Sequence, residues 1–313
     1  MKYINTLREG ETVRNIYLCK GKRSAETRNG KPYDNLILQD KTGTLDGKIW
    51  EPNSAGIADY DEKDYIEIVG DVTSYNGSRQ MNIKQLRVAR EGEYDAKDYM
   101  PTSEKSVEGM YGELLSYIQQ VDNVYLRQLL EYYFVNDAAF IKRFQEHSAA
   151  KTVHHGFAGG LLEHTLSVVK LCEYFVGTYP ILNKDLLYTA AICHDIGKTK
   201  ELSSFPENDY TDEGQLIGHI VIGVELIGEA VRAIPGFPET LANEVKHCVI
   251  SHHGELEYGS PKKPALAEAV ALNFADCTDA KMQTFIELFK DKDTTDWIGY
   301  NRLFDSNLRK TSI

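Results

Sequence analysis

The periodicity of the apolar residues changes near residue 100, and this change constrains the fold more than any other feature of the sequence. Before residue 90, short runs rich in β-branched and aromatic residues lie between turn-forming pairs such as Asn29-Gly30. After residue 106, apolar residues instead recur every three or four positions, as do Met110 and Leu114. We therefore expect an all-β domain followed by an all-α domain.

The length of 313 residues also suits two domains. Five short strands within about eighty residues are typical of an OB-like barrel, with a small SH3-like barrel as the competing fold. The domains are predicted as an OB-fold nucleic-acid-binding domain in 1–95, a polar linker in 96–105 and a helical domain in 106–313. The predicted strands are Val13–Leu18, Asn35–Gln39, Gly47–Trp50, Asp64–Val69 and Met81–Val88.

The acidic charge is unevenly distributed along the chain. The net charge is −12, but residues 1–95 contain 15 basic against 16 acidic residues, so the excess of acid lies in the second domain. Basic side chains cluster between residues 14 and 31, where they include Lys20, Lys22, Arg23, Arg28 and Lys31. Because local fields decide whether a polyanion binds, this segment and the neighbouring Tyr33 are candidates for contacts with nucleic acid. An ordinary solvated hairpin is the alternative.

Aromatic residues of the predicted barrel are further candidates, because bases of single strands stack on aromatic side chains in such folds. Tyr17, Tyr33, Trp50, Tyr65 and Tyr75 qualify by position. For most of them, filling the core is the better interpretation, and Tyr33 is the favoured exception because it follows Lys31-Pro32 in a polar loop.

Other sequence features indicate in which cellular compartment the protein is expected. The five cysteines are scattered without a C-x-x-C pair, which argues against a disulfide framework or a zinc ribbon. The N-terminal residues lack the apolar core of a signal peptide, and no apolar run reaches the length of a membrane span. We expect a cytoplasmic protein without a membrane partner; a homo-oligomer remains open.

Histidine and aspartate residues interrupt apolar segments of the second domain, and eight of the nine histidines follow residue 150. Buried polar side chains need partners, and a metal centre inside a helical bundle is the economical partner for so many of them. The candidate ligands are His164, His194, Asp195, His219, His252, His253 and Asp276. Seven ligands exceed the needs of one catalytic ion, so two ions are expected, with Asp195 as the bridge between them.

The ligand types restrict the chemistry. Imidazole and carboxylate without thiolate suit Mn²⁺, Fe²⁺, Mg²⁺, Co²⁺ or Zn²⁺. Lys198 follows Asp195 by three residues and is a catalytic candidate together with it, because a cation there would hold a phosphate oxygen; a helix-end lysine is the alternative. His154 and His155 are candidates for substrate contact, with surface or capping roles equally open.

The order His164, His194-Asp195, Asp276 resembles the signature of the HD phosphohydrolase superfamily. Together with the segments 154–165 and 210–219 and the OB-like domain, the chain resembles the YhaM family of 3′→5′ exoribonucleases. This resemblance implies hydrolysis of single-stranded RNA, with single-stranded DNA left open, to nucleoside 5′-monophosphates, with Mn²⁺ favoured. It also implies one ion at His164, His194, Asp195 and Asp276, and a second at Asp195, His219, His252 and His253, with the stronger ligand of the tandem pair undecided.

Two alternatives remain at this point. An HD-type nucleotidase or cyclic-nucleotide phosphodiesterase would act on small molecules and would not need residues 1–95. The Gly-Tyr-Pro motif of the cyclic-dinucleotide phosphodiesterases is absent after His252-His253, which weakens that form of the alternative. A single-strand-binding protein with a structural metal site is the second alternative, and the intact ligand set argues against it.

Overall fold

The computed structural model describes residues 1–27, 29–75, 78–100, 103, 105–151, 155–205, 207–290 and 294–312. Two compact units make up the chain: residues 1–104 with 203–209, and residues 105–202 with 210–313. Arg28 and His154, both candidates from the sequence, lie outside the described residues. No helix in the described part of the chain is both long and apolar enough to span a bilayer.

The first unit is a closed five-stranded barrel of the OB type, as the sequence predicts. The strand order is β1-β2-β3-β5-β4, with β3 and β5 paired in parallel and the other neighbours antiparallel. Alternating side chains fill the interior, including Tyr17, Ile68 and Met81, all fully buried. The strands are β1 Thr12–Glu26, β2 Pro32–Asp40, β3 Gly43–Ile49, β4 Tyr65–Tyr75 and β5 Ser78–Val88.

Part of the predicted linker is ordered against this barrel. Residues Ala96–Tyr99 form a 3-10 helix that begins at Asp95, whose side chain accepts a hydrogen bond from the Lys97 amide. Tyr99 is buried, and its carbonyl accepts a hydrogen bond from the side-chain amide of Gln39. The polar composition of 96–105 therefore gave no indication of the short 3-10 helix that packs on the barrel through Tyr99.

The second unit is helical, as predicted. Side chains at the N-caps start several helices, because Ser106, Asn123, Asp137 and Asn183 each accept a hydrogen bond from a first-turn amide. The helices are α1 Val107–Gln119, α2 Val124–Phe134, α3 Ala138–Glu146, α4 Gly160–Thr178, α5 Lys184–Cys193, α6 Lys198–Glu201, α7 Asp212–Leu216, α8 His219–Ala233, α9 Glu239–Ser251 and α10 Ala267–Phe289; a small hairpin of β6 Tyr300–Asn301 and β7 Ser306–Asn307 follows.

The core of the helical unit lies between α4, α5, α9 and α10. Fully buried side chains from these helices include Leu162, Leu187, Val249 and Leu272. Dense packing of this kind fixes the helices relative to one another. Polar side chains that reach into the bundle are consequently held in defined positions.

Candidate metal centre

The structure brings the seven predicted ligands together from five segments of the helical unit. His164 lies on α4 and Asp276 on α10, whereas the other five lie at helix boundaries. His194 and Asp195 directly follow α5, His252 and His253 directly follow α9, and His219 begins α8. Three helices, α5, α8 and α9, therefore begin or end at the centre, whereas α4 and α10 run past it.

The first cluster consists of His164, His194 and Asp276, whose candidate ligand atoms lie within 4.8 Å of one another. The Nε2 atom of His164 is 3.2 Å from His194 Nε2 and 3.2 Å from Asp276 Oδ1. The second cluster consists of His219, His252 and His253, whose candidate ligand atoms also lie within 4.8 Å of one another.

Asp195 lies between the two clusters and presents one oxygen to each. Its Oδ2 atom is 3.4 Å from His164 Nε2 and 3.3 Å from His194 Nε2. Its Oδ1 atom is 3.5 Å from His219 Nε2 and 3.7 Å from His252 Nε2. This is the arrangement expected of the bridge that the sequence suggested.

All five imidazoles use the two ring nitrogens in the same way. Each Nδ1 lies 2.7–2.9 Å from an oxygen outside the two clusters, and the Nε2 atoms of His164, His194, His219 and His252 lie within 3.7 Å of Asp195. Because a carbonyl oxygen only accepts, an Nδ1 bonded to one must donate, which leaves the lone pair on Nε2. The outer partners are Asp279 for His164, the Ala191 carbonyl for His194, Glu201 for His219, the Val249 carbonyl for His252 and the Tyr258 carbonyl for His253.

The ends of α5 and α9 explain two of these bonds. The last carbonyls of a helix have no amide partner within the helix. His194 and His252 each stand just beyond a helix and bond through Nδ1 to the carbonyl three residues earlier, on Ala191 and Val249. The same local geometry therefore orients both rings.

The electrostatics of the first cluster favour a positive charge among its carboxylates. Burial opposes a charged His164, but hydrogen bonds with Asp195, Asp276 and Asp279 outweigh it and raise the pKa of this imidazole well above its usual range. Burial also favours the neutral acid of Asp276, yet the neighbouring His164 and His194 lower its pKa below the usual range. The pocket thus favours anionic carboxylates around one cation, which is a proton or a metal.

Two imidazoles of the second cluster, those of His252 and His253, favour the neutral form. Burial, with His253 adding to it, lowers the pKa of His252 well below its usual range. Burial followed by the proximity of His219 lowers the pKa of His253 in the same direction. Neutral imidazole is the form that binds a metal.

Unpaired buried atoms test whether a metal suits these residues. Among the described residues, Asp195 Oδ1, His219 Nε2 and His252 Nε2 are buried and have no hydrogen-bond partner. Leaving three such atoms unpaired is costly in the interior of a protein. All three face the same space between Asp195 and the second cluster, so the residues present fit a divalent ion.

Lys198, the first residue of α6, contacts the bridging aspartate directly. Its Nζ atom is 2.8 Å from Asp195 Oδ2, and its side chain is 15% exposed. Burial lowers the pKa of Lys198, but the Asp195 carboxylate outweighs that effect and raises it. The ammonium group is therefore charged and stands at the edge of the first cluster.

Two carboxylates of the centre were missed by the sequence analysis. Asp279 accepts from His164, and Glu201 accepts from both the backbone amide and the Nδ1 of His219 at 2.9 Å. Asp279 follows Asp276 by three residues on α10, so helical spacing alone predicts that both face the same side. His155 is buried and bonds to Asp279, and its role in substrate contact stays a prediction.

The nucleic-acid candidates of the barrel divide into two groups. Arg23 is exposed and pairs in register with Asn35, while Tyr33 stacks on Trp50 with ring centroids 5.3 Å apart. Lys20 and Lys31 are also exposed. Lys22, in contrast, donates to the Tyr60 carbonyl at 2.6 Å and lies over the Tyr60 ring, so it does not join Arg23 and Tyr33.

Of the other aromatic candidates, two follow the core-filling interpretation and two do not. Tyr17 is fully buried in the barrel, and Tyr65 is buried with its ring stacked on Tyr94 at 3.8 Å. Tyr75 is 65% exposed at the end of β4. Trp50, which directly follows β3, is 49% exposed and stacks on the half-buried Tyr33 of β2.

Comparison with known proteins agrees with this geometry. Residues 161–281 match the family model described as "HD domain", which covers all seven ligands. The helical unit is therefore that of a metal-dependent phosphohydrolase of the HD class.

Full-length relatives are more specific. The chain is 36% identical over 274 residues to "3'-5' exoribonuclease YhaM" of Geobacillus sp. (strain WCH70), covering 87% of this chain and 83% of the relative. Proteins of the same name from Listeria welshimeri and Bacillus velezensis are each 35% identical, over 90% and 87% of this chain and 89% and 86% of their own lengths. The chain belongs to the YhaM family.

Proposed function

We propose that the chain is a metal-dependent 3′→5′ exoribonuclease that shortens single-stranded RNA and releases nucleoside 5′-monophosphates. The observation that carries this proposal is the convergence of His164 Nε2, His194 Nε2, Asp276 Oδ1 and Asp195 Oδ2 in one buried pocket. The name of the curated relatives supplies the substrate class and the direction.

Two divalent ions per chain are part of the proposal. His164, His194, Asp195 and Asp276 would hold one ion, and Asp195, His219, His252 and His253 would hold the other. When bound, such a pair supplies Lewis acidity toward the phosphate and an activated water at neutral pH. Mn²⁺ is the ion favoured by the resemblance to the YhaM family, and the imidazole and carboxylate ligands suit it as they suit Fe²⁺, Mg²⁺, Co²⁺ and Zn²⁺.

The chain's own residues orient the reaction. Asp195 fixes the spacing between the two halves of the centre, since each of its oxygens faces a different cluster. Lys198 provides a charged donor within reach of a phosphate oxygen and stabilises the negative charge that develops on it. Water is the nucleophile, so no covalent intermediate with the protein is required.

The barrel is proposed to hold the single strand. Tyr33 and Trp50 offer a stacking surface, and Arg23, Lys20 and Lys31 add exposed positive charge. Lys22 is left out of this surface because Tyr60 engages its ammonium group.

The experiment that tests the function uses purified protein with Mn²⁺ and 5′-labelled single-stranded RNA and DNA of equal sequence. We expect RNA to give a labelled ladder that shortens from the 3′ end, and chromatography of the unlabelled released products to identify nucleoside 5′-monophosphates. Cleavage at internal positions, or release of 3′-monophosphates, would contradict the proposal. The DNA arm measures the preference between the two sugars.

The small-molecule alternative is tested in the same assay with free nucleotides and cyclic nucleotides as competitors. A nucleotidase would turn over free nucleotides faster than it shortens RNA. The stacked pair of half-buried Tyr33 and exposed Trp50 favours the longer substrate, because a small molecule in the metal centre has no use for it.

A further inference from the structure

Asp279 receives two imidazoles on a single oxygen. Its Oδ2 atom is 2.7 Å from His164 Nδ1 and 3.0 Å from His155 Nε2. Because an aspartate carboxylate oxygen only accepts, both ring nitrogens act as donors toward it. One anionic oxygen therefore links His155 to a residue of the first cluster.

The carboxylate partners are distributed evenly between the two clusters. In the first cluster His164 bonds to Asp279, and in the second His219 bonds to Glu201. The remaining three imidazoles bond to backbone carbonyls. A carboxylate behind an imidazole fixes the ring and raises its basicity toward a metal more than a neutral carbonyl does. Each cluster thus contains one imidazole whose basicity toward a metal is raised by a carboxylate.

His155 is held in place at a conformational cost. The residue has a positive φ of 61°, and its side chain is 1% exposed. Its amide donates to Glu287 Oε1 at 3.2 Å, and its carbonyl accepts from the Ala149 amide at 3.0 Å. Its Nδ1 atom is buried without a partner among the described residues. Strain and an unpaired nitrogen at one position point to a requirement for the side chain itself.

His155, His164 and Asp279 could be considered a third metal group, since their nitrogen and oxygen atoms lie within 4.8 Å of one another. Their chemistry differs from that of the two clusters, however. In this trio, His155 Nε2 and His164 Nδ1 both donate to the Asp279 carboxylate. In the second cluster, by contrast, the unpaired Nε2 atoms of His219 and His252 face the unpaired Asp195 Oδ1. The three atoms that would face an ion, His155 Nε2, His164 Nδ1 and Asp279 Oδ2, are already engaged with one another by hydrogen bonds.

We propose that His155 and Asp279 are positioning residues for His164 that set the metal affinity of the first cluster, while Glu201 sets that of the second cluster through His219. This inference rests on the proposed two-ion centre. His155 fixes the Asp279 oxygen, and that oxygen fixes the His164 ring with its Nε2 toward the ion.

The test is calorimetric titration of the metal-free full chain with Mn²⁺. Asp279→Asn keeps the size of the side chain and removes its charge. We expect one of the two binding steps to weaken 10- to 100-fold, as losses of such partners do, and the other to change less than about 3-fold. Glu201→Gln is the matched variant and should weaken the other step. The double variant should weaken both.

His155 is tested with a pair of substitutions that share its backbone strain. In His155→Gln the side-chain amide occupies the position of Nε2 and still donates to Asp279, whereas His155→Leu has no donor. We expect His155→Gln to bind Mn²⁺ within about 3-fold of the parent and His155→Leu to weaken the same step as Asp279→Asn. Equal affinities for the two variants would overturn the role of His155.

The outcomes separate this inference from the proposed function. If the parent chain binds no Mn²⁺, or only one ion, the two-ion proposal fails and the inference fails with it. If the parent binds two ions and Asp279→Asn binds them equally well, only the inference fails. Circular dichroism of each metal-free variant checks that the helical unit is folded before titration.

Discussion

At the residue scale, the centre depends on a division of work between the two nitrogens of each imidazole. Every Nδ1 is committed to an outer oxygen, so every Nε2 is free to face the clusters. Metal binding then requires no rearrangement of the rings. This preorganisation is what distinguishes the five histidines from His247, whose Nε2 accepts from the Ala265 amide instead.

Asp195 is the residue whose loss should be most damaging. Asp195→Ala removes an oxygen from each cluster, so we expect RNA hydrolysis to be abolished and the Mn²⁺ content to fall. His194→Ala should also abolish hydrolysis, because it removes a proposed ligand of one cluster. Metal content by mass spectrometry and product formation on labelled RNA check both. Full activity in a folded, metal-depleted Asp195→Ala chain would refute metal-assisted hydrolysis.

Lys198 should affect turnover more than metal binding. Because Nζ bonds to the Asp195 oxygen of the first cluster, Lys198→Ala leaves that oxygen available, and Mn²⁺ content should not fall. Loss of one charge-stabilising donor should raise the barrier by about 2–4 kcal/mol. Single-turnover rates measure the effect, and Lys200→Ala, which removes an exposed cation two residues later, is the control. An unchanged rate would assign Lys198 to a helix-end role.

The sequence predicted the candidate metal ligands better than it predicted the carboxylates that hydrogen-bond to them. Histidine and aspartate in apolar segments are visible as a pattern, and the structure brings all seven together. Asp279 and Glu201 were missed because charged residues on helices are common on surfaces and carry no signal alone. The spacing of Asp276 and Asp279 on one helix face was the available clue for the first of them.

At the element scale, the centre requires two segments to approach very closely. A Cβ atom on Gly197, in the turn after Asp195, would lie 2.0 Å from the His219 carbonyl oxygen and 2.7 Å from the Gly223 amide nitrogen. Backbone atoms cannot yield as a flexible side chain can. The absence of a side chain at Gly197 therefore sets the distance between Asp195 and the start of α8.

Gly197→Ala should consequently separate the turn from α8 and move His219 away from Asp195. We expect a loss of stability of several kcal/mol, as for overpacked sites, and weakened Mn²⁺ binding. Gly112→Ala is the control, because a Cβ there meets nothing within 4 Å and helix propensity favours alanine by about 0.5–1 kcal/mol. Urea unfolding and Mn²⁺ titration measure the two effects. Parent-like stability of Gly197→Ala would contradict the required close approach.

The barrel should lose stability at alkaline pH. Burial raises the pKa of Tyr17 from 10 to about 12, since the phenolate is disfavoured inside the barrel. A raised pKa means that this contribution is complete below pH 10 and is lost as pH rises to about 12. The difference corresponds to about 3 kcal/mol at most. Tyr65, also buried, has its pKa raised to about 12 in the same way.

Tyr17→Phe tests this expectation. The variant loses the hydrogen bond to the Lys2 carbonyl, so it should be about 1 kcal/mol less stable at pH 8. Between pH 10 and 12 its free energy of unfolding should fall less steeply than that of the parent, by up to about 1.4 kcal/mol per pH unit. Urea unfolding followed by Trp50 fluorescence in a Trp297→Phe background measures both slopes. Identical slopes would show that Tyr17 does not titrate in this range.

Element types were predictable because their periodicities differ, but the element ends were not. The apolar pattern of the segment 216–234 forms a helix only from His219, and α7 ends at Leu216. The apolar pattern of the segment 184–196 forms a helix only as far as Cys193, which leaves His194 and Asp195 in a turn. These ends are set by contacts with other segments, such as Glu201 with the His219 amide, and not by local propensity.

At the scale of the whole molecule, the barrel unit is not one continuous stretch of the chain. Residues 203–209 lie between α6 and α7 in the chain but group with the barrel unit. Phe205 packs there against the buried cluster of Leu18, Tyr65 and Tyr99. No periodicity marks such a segment, so the boundary near residue 105 was predictable and this excursion was not. A cut at residue 105 would remove the partners of Phe205.

The division of labour between the units is therefore best tested in the intact chain. Lys20, Arg23 and Lys31 are exposed on the barrel, and replacing all three with alanine removes the proposed phosphate contacts without touching the metal centre. Hydrolysis of a small activated phosphodiester should be unchanged. Binding to long single-stranded RNA should weaken, because the remaining chain is more acidic and repels a polyanion.

Salt dependence makes this prediction quantitative. Each phosphate contact on a single strand contributes about 0.7 to the slope of log K against log salt concentration, so three lost contacts should make the slope shallower by about 2. The control replaces Lys63, Lys84 and Lys97, which are exposed elsewhere on the same unit and remove the same charge. If both triple variants flatten the slope equally, only the net charge of the barrel matters. If neither does, RNA is held by other residues, and Lys20, Arg23 and Lys31 have no part in binding it.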